Sequence, residues 1–408
     1  MHDVVVAGGG PAGSVCAAAL AGLGRRVLVL EREHHPRFHL GESLLPGSLG
    51  VLEAIGVLEE VRDRFLVKNG ARFVDAADEA RTNRYSFAEA FHARWTHAFQ
   101  VPRDEFDELL FQRAGACGAE LRQGWTVTRV ELDGGRAVGV RARDPEGREH
   151  AIDARFVIDA TGRDAMTASA ARDKSRIRHL DRTALFTQVR GAWRDEGALQ
   201  GDIQIVVTGQ GSDRGWFWLI PFADGRTSVG AVVSSAWVQS HRGAGGPAEL
   251  FDAAVQDAPA VARMLSGSTR IMPPGATADF SFRVRTVRGD GWLAVGDAAG
   301  FIDPLFSTGV HLGLCSGLRA AQLVDEALGA GDVSAARFEG WEREIRAGVD
   351  LFLGAVQGFY AGDLKAYLFA QPQHPFLRRA ITSLLAGDVW DPAARWVGEI
   401  RGRFGVVV

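Results

Sequence analysis

The sequence predicts an α/β fold: a parallel sheet flanked by helices, interrupted by a second, β-rich unit and followed by a helical C-terminal region. Three observations predict it. The first thirty residues run apolar strand, glycine-rich turn, small-residue helix and apolar strand. Residues from about 185 to 285 carry more strand than helix signals, and 331–408 reads as mostly helical. The 408 residues, 46% hydrophobic and 24% charged, suffice for two or three packed domains. Forty-six basic side chains against 50 acidic give a net charge of −4, so no global positive field exists to hold nucleic acid or an anionic bilayer. Cys16, Cys117 and Cys315 are odd in number and widely spaced, which argues against a disulfide framework or a zinc ribbon and for a reducing setting. No basic leader precedes the first strand, and the longest uncharged stretch, near 351–362, is too short to span a bilayer. The chain is therefore expected to be soluble, unprocessed and cytoplasmic, with no transmembrane segment.

Taken in order, the first strand leads through the glycine turn to a helix over 14–23 and a strand over 26–30 that ends in Glu31. Residues 32–70 mix loop and helix. Alternation and aromatic content over 73–101 predict strands of another sheet, and a helix over 104–117 resumes the α/β pattern. A hairpin over 125–140 returns to a buried strand over 149–158 that ends at Asp159. A last short strand at 292–295 precedes a long helix over 309–328. The parallel-sheet domain is thus discontinuous, built from 1–72, 101–165 and 283–330. Residues 73–100 and 166–282 form the β-rich substrate domain, and 331–408 the helical region. Without repeats or long linkers, the parts are expected to pack closely.

Gly8-x-Gly10-x-x-Gly13 sits between strand and helix. There the first glycine permits a tight turn, the second lets backbone approach a pyrophosphate, and the third lets helix and strand pack closely. Glu31 stands where an acid accepts ribose hydroxyls, so the unit reads as a dinucleotide site; an ordinary surface turn is the alternative. The motif alone does not separate FAD from NAD. A second glycine–acid element does: Gly296-Asp297-Ala298-Ala299-Gly300 follows the late strand and leads to a helix N-terminus.

Together with Arg103 in the 101–107 segment and Asp159-Ala-Thr-Gly162, these motifs resemble the FAD-dependent monooxygenase superfamily of the p-hydroxybenzoate hydroxylase type, over about 330 residues. The resemblance implies a Rossmann-like FAD-binding domain of that type. In it Asp297 binds the ribitol, Arg103 approaches the pyrophosphate, and Gly8, Gly10, Ala12, Gly13, Glu31 and Arg32 hold the nucleotide. No second strand–GxGxxG–helix unit follows: Gly209-Gln-Gly211 lacks the third glycine, and Gly243–Gly246 follows no strand. A separate NAD(P)H flavin reductase is the partner this suggests, although related hydroxylases reduce their flavin without such a domain.

Trp216-x-Trp218-x-Ile220-Pro221 places three apolar side chains on one strand face. An aromatic core stripe explains it equally well, but the pattern is similar to the W-x-W-x-I-P motif of flavin-dependent halogenases, which there keeps organic substrate away from the flavin. Lys68, a lone amine in an apolar segment, resembles the lysine of the halogenase K-x-G-A segment; most lysines are solvated surface charges. Ser307-Thr308-Gly309 precedes a helix, where the hydroxyls can cap it and the free N–H groups face an anion. The resemblance makes Thr308 and Gly309 the halide site, with Gly309 also beside the flavin. It also places Ser43, in Gly41-Glu42-Ser43, beside the isoalloxazine. The activity implied is chlorination or bromination: reduced FAD and O2 give a C4a hydroperoxide, halide attacks it, and hypohalous acid passes the Trp216/Trp218 wall to Lys68, the catalytic residue.

One departure informs the substrate. Tryptophan halogenases carry a glutamate before S-T-G, where this chain has Phe306. Phe306, assigned with Trp216, Trp218 and Ile220 to the substrate wall, resembles the phenol- and pyrrole-modifying halogenases, several of which act on rings tethered to an acyl or peptidyl carrier protein. His92, His97 and His311 are candidate bases that no spacing distinguishes. The eleven histidines show no metal-ligand spacing, and no metal is expected. Direct oxygen insertion by an aromatic hydroxylase, olefin reduction, or a non-catalytic flavoprotein of a biosynthetic assembly are the rival readings.

Overall fold

The structure is a computed structural model that describes residues 1–91, 94–209, 215–241, 243, 245–390 and 395–403. His92 and Gly211 lie outside them. Strands His2–Ala7 and Val27–Glu31 are almost wholly buried, as their unbroken apolar runs require of parallel strands covered on both faces. They pair in parallel with each other, with Glu149–Asp159 and with Glu120–Gln123. Trp292–Ala294 extends the sheet beyond Glu149–Asp159, so the late strand joins the N-terminal unit across some 280 residues of chain. A meander, Thr126–Asp133 and Arg136–Arg143, pairs back onto Glu149–Asp159.

The second large sheet runs Arg182–Arg190, Arg226–Ser234, Gly215–Pro221, Ile203–Thr208, Gly70–Asp75, Asp78–Ser86, with short edge strands on Arg182–Arg190. Pairing into it begins at Gly70, three residues before the expected start at 73. Not all of the 73–101 stretch belongs to this sheet: Ala98–Gln100 pairs instead with Leu66–Lys68 in a separate two-stranded ladder that sets Lys68 opposite Ala98. Strand alternation divides two cores. Trp216, Trp218 and Ile220 face the main core. Phe217 and Leu219 face a smaller one, covered by Phe251 and Ala254 of helix Pro247–Gln256.

The helical region wraps the main core. Helix Thr308–Ala330 crosses Pro11–Gly22, followed by Glu339–Ala361 and Pro375–Leu385. Arg378 ties the last of these to the β-rich unit through Glu89 at 2.6 Å and the Arg84 carbonyl. The three cysteines are free thiols. Among the described residues no helix is long and apolar enough to cross a membrane.

Candidate active site

The N-terminal turn, the crossover loop 37–43, the tryptophan strand and the start of helix Thr308–Ala330 enclose a cavity of about 1140 Å³. Its nucleotide end is lined by Gly8, Gly10, Ala12, Glu31, Arg32 and Arg103. Gly8 adopts φ +107°, and a Cβ there would fall 2.2 Å from the Ala160 carbonyl oxygen. Gly13 lies behind the wall, where a Cβ would meet the Gly8 oxygen at 2.0 Å; it acts through packing, not contact. Gly8→Ala is expected to weaken FAD binding by more than about tenfold, measurable by flavin fluorescence titration of the refolded apoprotein. Glu31 accepts the Gly9 N–H at 2.7 Å and the Glu33 N–H at 2.9 Å, which fixes its carboxylate at the strand end. Arg32 is ion-paired with Asp164.

Arg103, buried in the first turn of helix Arg103–Ala116, grips Asp107 through Nε at 2.6 Å and Nη2 at 2.8 Å. Burial disfavours its charge, but Asp107 outweighs that and raises its pKa. Asp107 in turn holds Arg37 at 3.1 Å, and Arg37 comes to the Gly10 end of the helix. The sequence reading missed Arg37, because no spacing relates it to the glycine turn. Asp159, at the end of its strand, spends its carboxylate on Thr161 and Thr167; Ala160, Thr161 and Gly162 form the wall instead.

At the other end stand Glu42, Ser43, Trp216, Trp218, Ile220, Asp297, Thr308 and Gly309. The two indoles pack with centroids 5.8 Å apart at 49°. Gly230, opposite Trp218 in the ladder, leaves room for its ring: a Cβ would lie 2.2 Å from the indole. Glu42 and Asp297 are carboxyls pushed up by burial to about 7 and about 6, the second opposed by Arg103. Ser307 corrects one expectation. It enters the helix in the left-handed region, φ +58°, instead of the extended backbone from which an N-cap side chain reaches the first-turn amides, and it makes no side-chain cap. Thr308 and Gly309, whose N–H groups lie in the first helical turn with no capping side chain from Ser307, line the cavity.

Lys68 and Phe306 are buried but do not line this cavity. Phe306 sits in the turn Pro304–Phe306 within the main core, so its side chain is not part of the cavity wall. Lys68 is 2% exposed. Its Nζ donates to the Leu44 carbonyl at 3.0 Å and lies 5.1 Å from the Phe87 ring centroid. It is thus one residue removed from Ser43 on the wall. Burial lowers its pKa to about 7, only partly offset by Asp202. His311 is fully engaged by Ser48 and the Gly387 carbonyl, and burial lowers it to about 4; His97 packs on Trp95 and Phe99. Neither lines the cavity. Among the described residues no cluster of three or more ligating side chains is placed to hold a metal.

The residues present fit FAD. Ser43 Oγ is buried on the cavity wall with no hydrogen-bond partner, a group left for a ligand to satisfy, and the Gly10 helix start is open to a pyrophosphate. A sequence profile described as tryptophan halogenase matches residues 3–97 and 76–365. The chain belongs to the tryptophan halogenase family. It is a flavin-dependent halogenase, an enzyme that uses reduced FAD, halide and O2. The chain is 29% identical over 96% of its length, and 93% of the relative's, to a 1H-pyrrole-2-carbonyl-[peptidyl-carrier protein] brominase of Pseudoalteromonas luteoviolacea. It is 31% identical over 96% and 90% to the corresponding chlorinase of Pseudomonas fluorescens. A solved flavoprotein/dehydrogenase from Cytophaga hutchinsonii superposes with a TM-score of 0.89 at 30% identity, covering 98% of this chain and 95% of that one. The halogenase thus has the Rossmann-like flavoprotein fold with a β-rich second sheet and helical C-terminal region.

Proposed function

We propose that this halogenase chlorinates or brominates an electron-rich pyrrole or phenol, with Lys68 directing hypohalous acid at the ring. The burial of Lys68 carries this reading: an amine at 2% exposure, held by a backbone carbonyl directly behind the flavin cavity. FAD, held by the glycine turn, Glu31, Arg103 and Asp297, supplies with O2 the oxidising equivalent that makes halide electrophilic. The Thr308 and Gly309 amides hold the halide by charge-assisted hydrogen bonds at a positive helix end. Trp216 and Trp218 exclude the ring from the flavin. Lys68 Nζ, near its own pKa at neutrality, donates to the oxygen of hypohalous acid; the ring carbon takes halogen, oxygen leaves as water, and the ring loses its proton. Pyrrole and phenol supply their own electron density, which suits Phe306 in place of a glutamate. A carrier-borne pyrrole is the first substrate to try, since the names of two relatives specify one. A separate reductase would deliver the reduced flavin.

The test combines the enzyme, FAD, a flavin reductase, NADH, O2 and chloride or bromide with free and carrier-borne pyrroles and phenols, read by mass spectrometry. A halogen isotope pattern is expected. A gain of oxygen independent of halide would overturn the reading.

A further inference from the structure

The two tryptophans of the wall are anchored in the same way. Trp216 Nε1 donates to the Tyr360 hydroxyl at 3.0 Å, and Tyr360 donates to Asp303 Oδ2 at 3.1 Å. Trp218 Nε1 donates to Ser228 Oγ at 3.1 Å, and Ser228 donates to Glu42 Oε2 at 2.6 Å. Each indole N–H therefore reaches a carboxyl through one hydroxyl. The carboxyls belong to the two loops that face the flavin cavity. Asp303 holds the Leu305 N–H at 2.9 Å in the turn that presents Thr308 and Gly309, and Glu42 adjoins Ser43 and also accepts from Gln188 at 3.2 Å. All four relay residues are buried.

An apolar wall needs none of this. Burying two hydroxyls and two carboxyls costs desolvation that only a complete network offsets, and here every link from indole to loop is made. We infer that Tyr360 and Ser228 are positioning residues that lock the tryptophan wall to the halide-side and flavin-side loops, so that the barrier stays closed while oxidant passes. This rests on the proposed barrier role of Trp216 and Trp218. With either hydroxyl gone, an indole N–H loses its acceptor in a buried site, the ring is free to tilt, and oxidising equivalents escape before they reach Lys68.

The test measures halogenated product and hydrogen peroxide per reduced flavin for the parent enzyme, Tyr360→Phe, Ser228→Ala and Ser228→Thr, alongside FAD affinity. Tyr360→Phe and Ser228→Ala are expected to lower the product-to-peroxide ratio roughly five- to tenfold, with FAD affinity within about twofold of the parent and with Ser228→Thr restoring the ratio. A ratio unchanged in both variants overturns the inference. So does a fall that Ser228→Thr shares, or one matched by an equal loss of FAD affinity, since the hydroxyls would then act only through general packing. Failure of the parent itself to halogenate any ring would instead overturn the functional reading.

Discussion

Lys68→Met is expected to lower halogenated product by on the order of 10²- to 10³-fold while reduced flavin is still oxidised, its equivalents appearing as peroxide. The separation follows from position. Lys68 does not line the flavin cavity, so its loss leaves the glycine turn, Asp297 and the Thr308–Gly309 amides in place. What is lost is the amine held behind the wall, on the Leu44 carbonyl and over the Phe87 ring. Asp202, the carboxylate that acts on Lys68, remains paired with Arg84 at 2.5 Å. Methionine keeps most of the buried volume, which spares the core the void that alanine would leave. Product mass spectrometry against a peroxide assay checks both halves. A variant that halogenates as the parent does would remove Lys68 from the mechanism.

Those parts of the fold and site that depend on local sequence were legible. The glycine turn works through spacing within six residues, and the tryptophan strand through strict alternation, so Trp216, Trp218 and Ile220 share a face as periodicity demands. Lys68 was marked by its apolar neighbours, but its burial does not follow from them, since in the strand Leu66–Lys68 it is Val67 that is exposed. What stayed hidden depends on pairing across the chain. Ser228 reaches Trp218 because the register sets Trp218 opposite Gly230, two residues along the neighbouring strand. Tyr360 joins Trp216 across 144 residues and Asp303 across 57, and no pattern in a helix announces such a partner. Glu42 stood in a motif whose serine alone was assigned, since a carboxyl's partners are fixed by tertiary packing. The same limit explains the cover over Lys68. Helix Pro375–Leu385 packs against the turn Phe87–Glu89, and the Phe87 ring of that turn lies 5.1 Å from the amine.

Enclosing that amine has a thermodynamic signature that stability measurements will show. Burial lowers Lys68 from an ordinary 10.5 to about 7 in the folded chain. Below pH 7 both folded and unfolded chains carry the proton, and the native state bears the full cost of a buried ammonium. Between pH 7 and 10.5 the unfolded chain binds a proton that the native chain does not, so this group makes stability rise with pH, by up to about 1.4 kcal/mol per unit. Other buried groups tilt the opposite way. Burial pushes Cys16 and Cys315 up to about 12 and raises Tyr85, so above pH 9 the native state retains protons that the unfolded state sheds. The parent's own curve therefore mixes both slopes, and the informative quantity is the difference from Lys68→Met, in which the common groups cancel. Chemical denaturation of both proteins from pH 6 to 10 is expected to show Lys68→Met the more stable near pH 6, with the gap closing steadily as pH rises by roughly 1 kcal/mol per unit above pH 7. A gap that stays constant across that range would mean that Lys68 keeps its ordinary pKa, reached by water in the folded enzyme, and would count against a dry lysine pocket for the halogenating species.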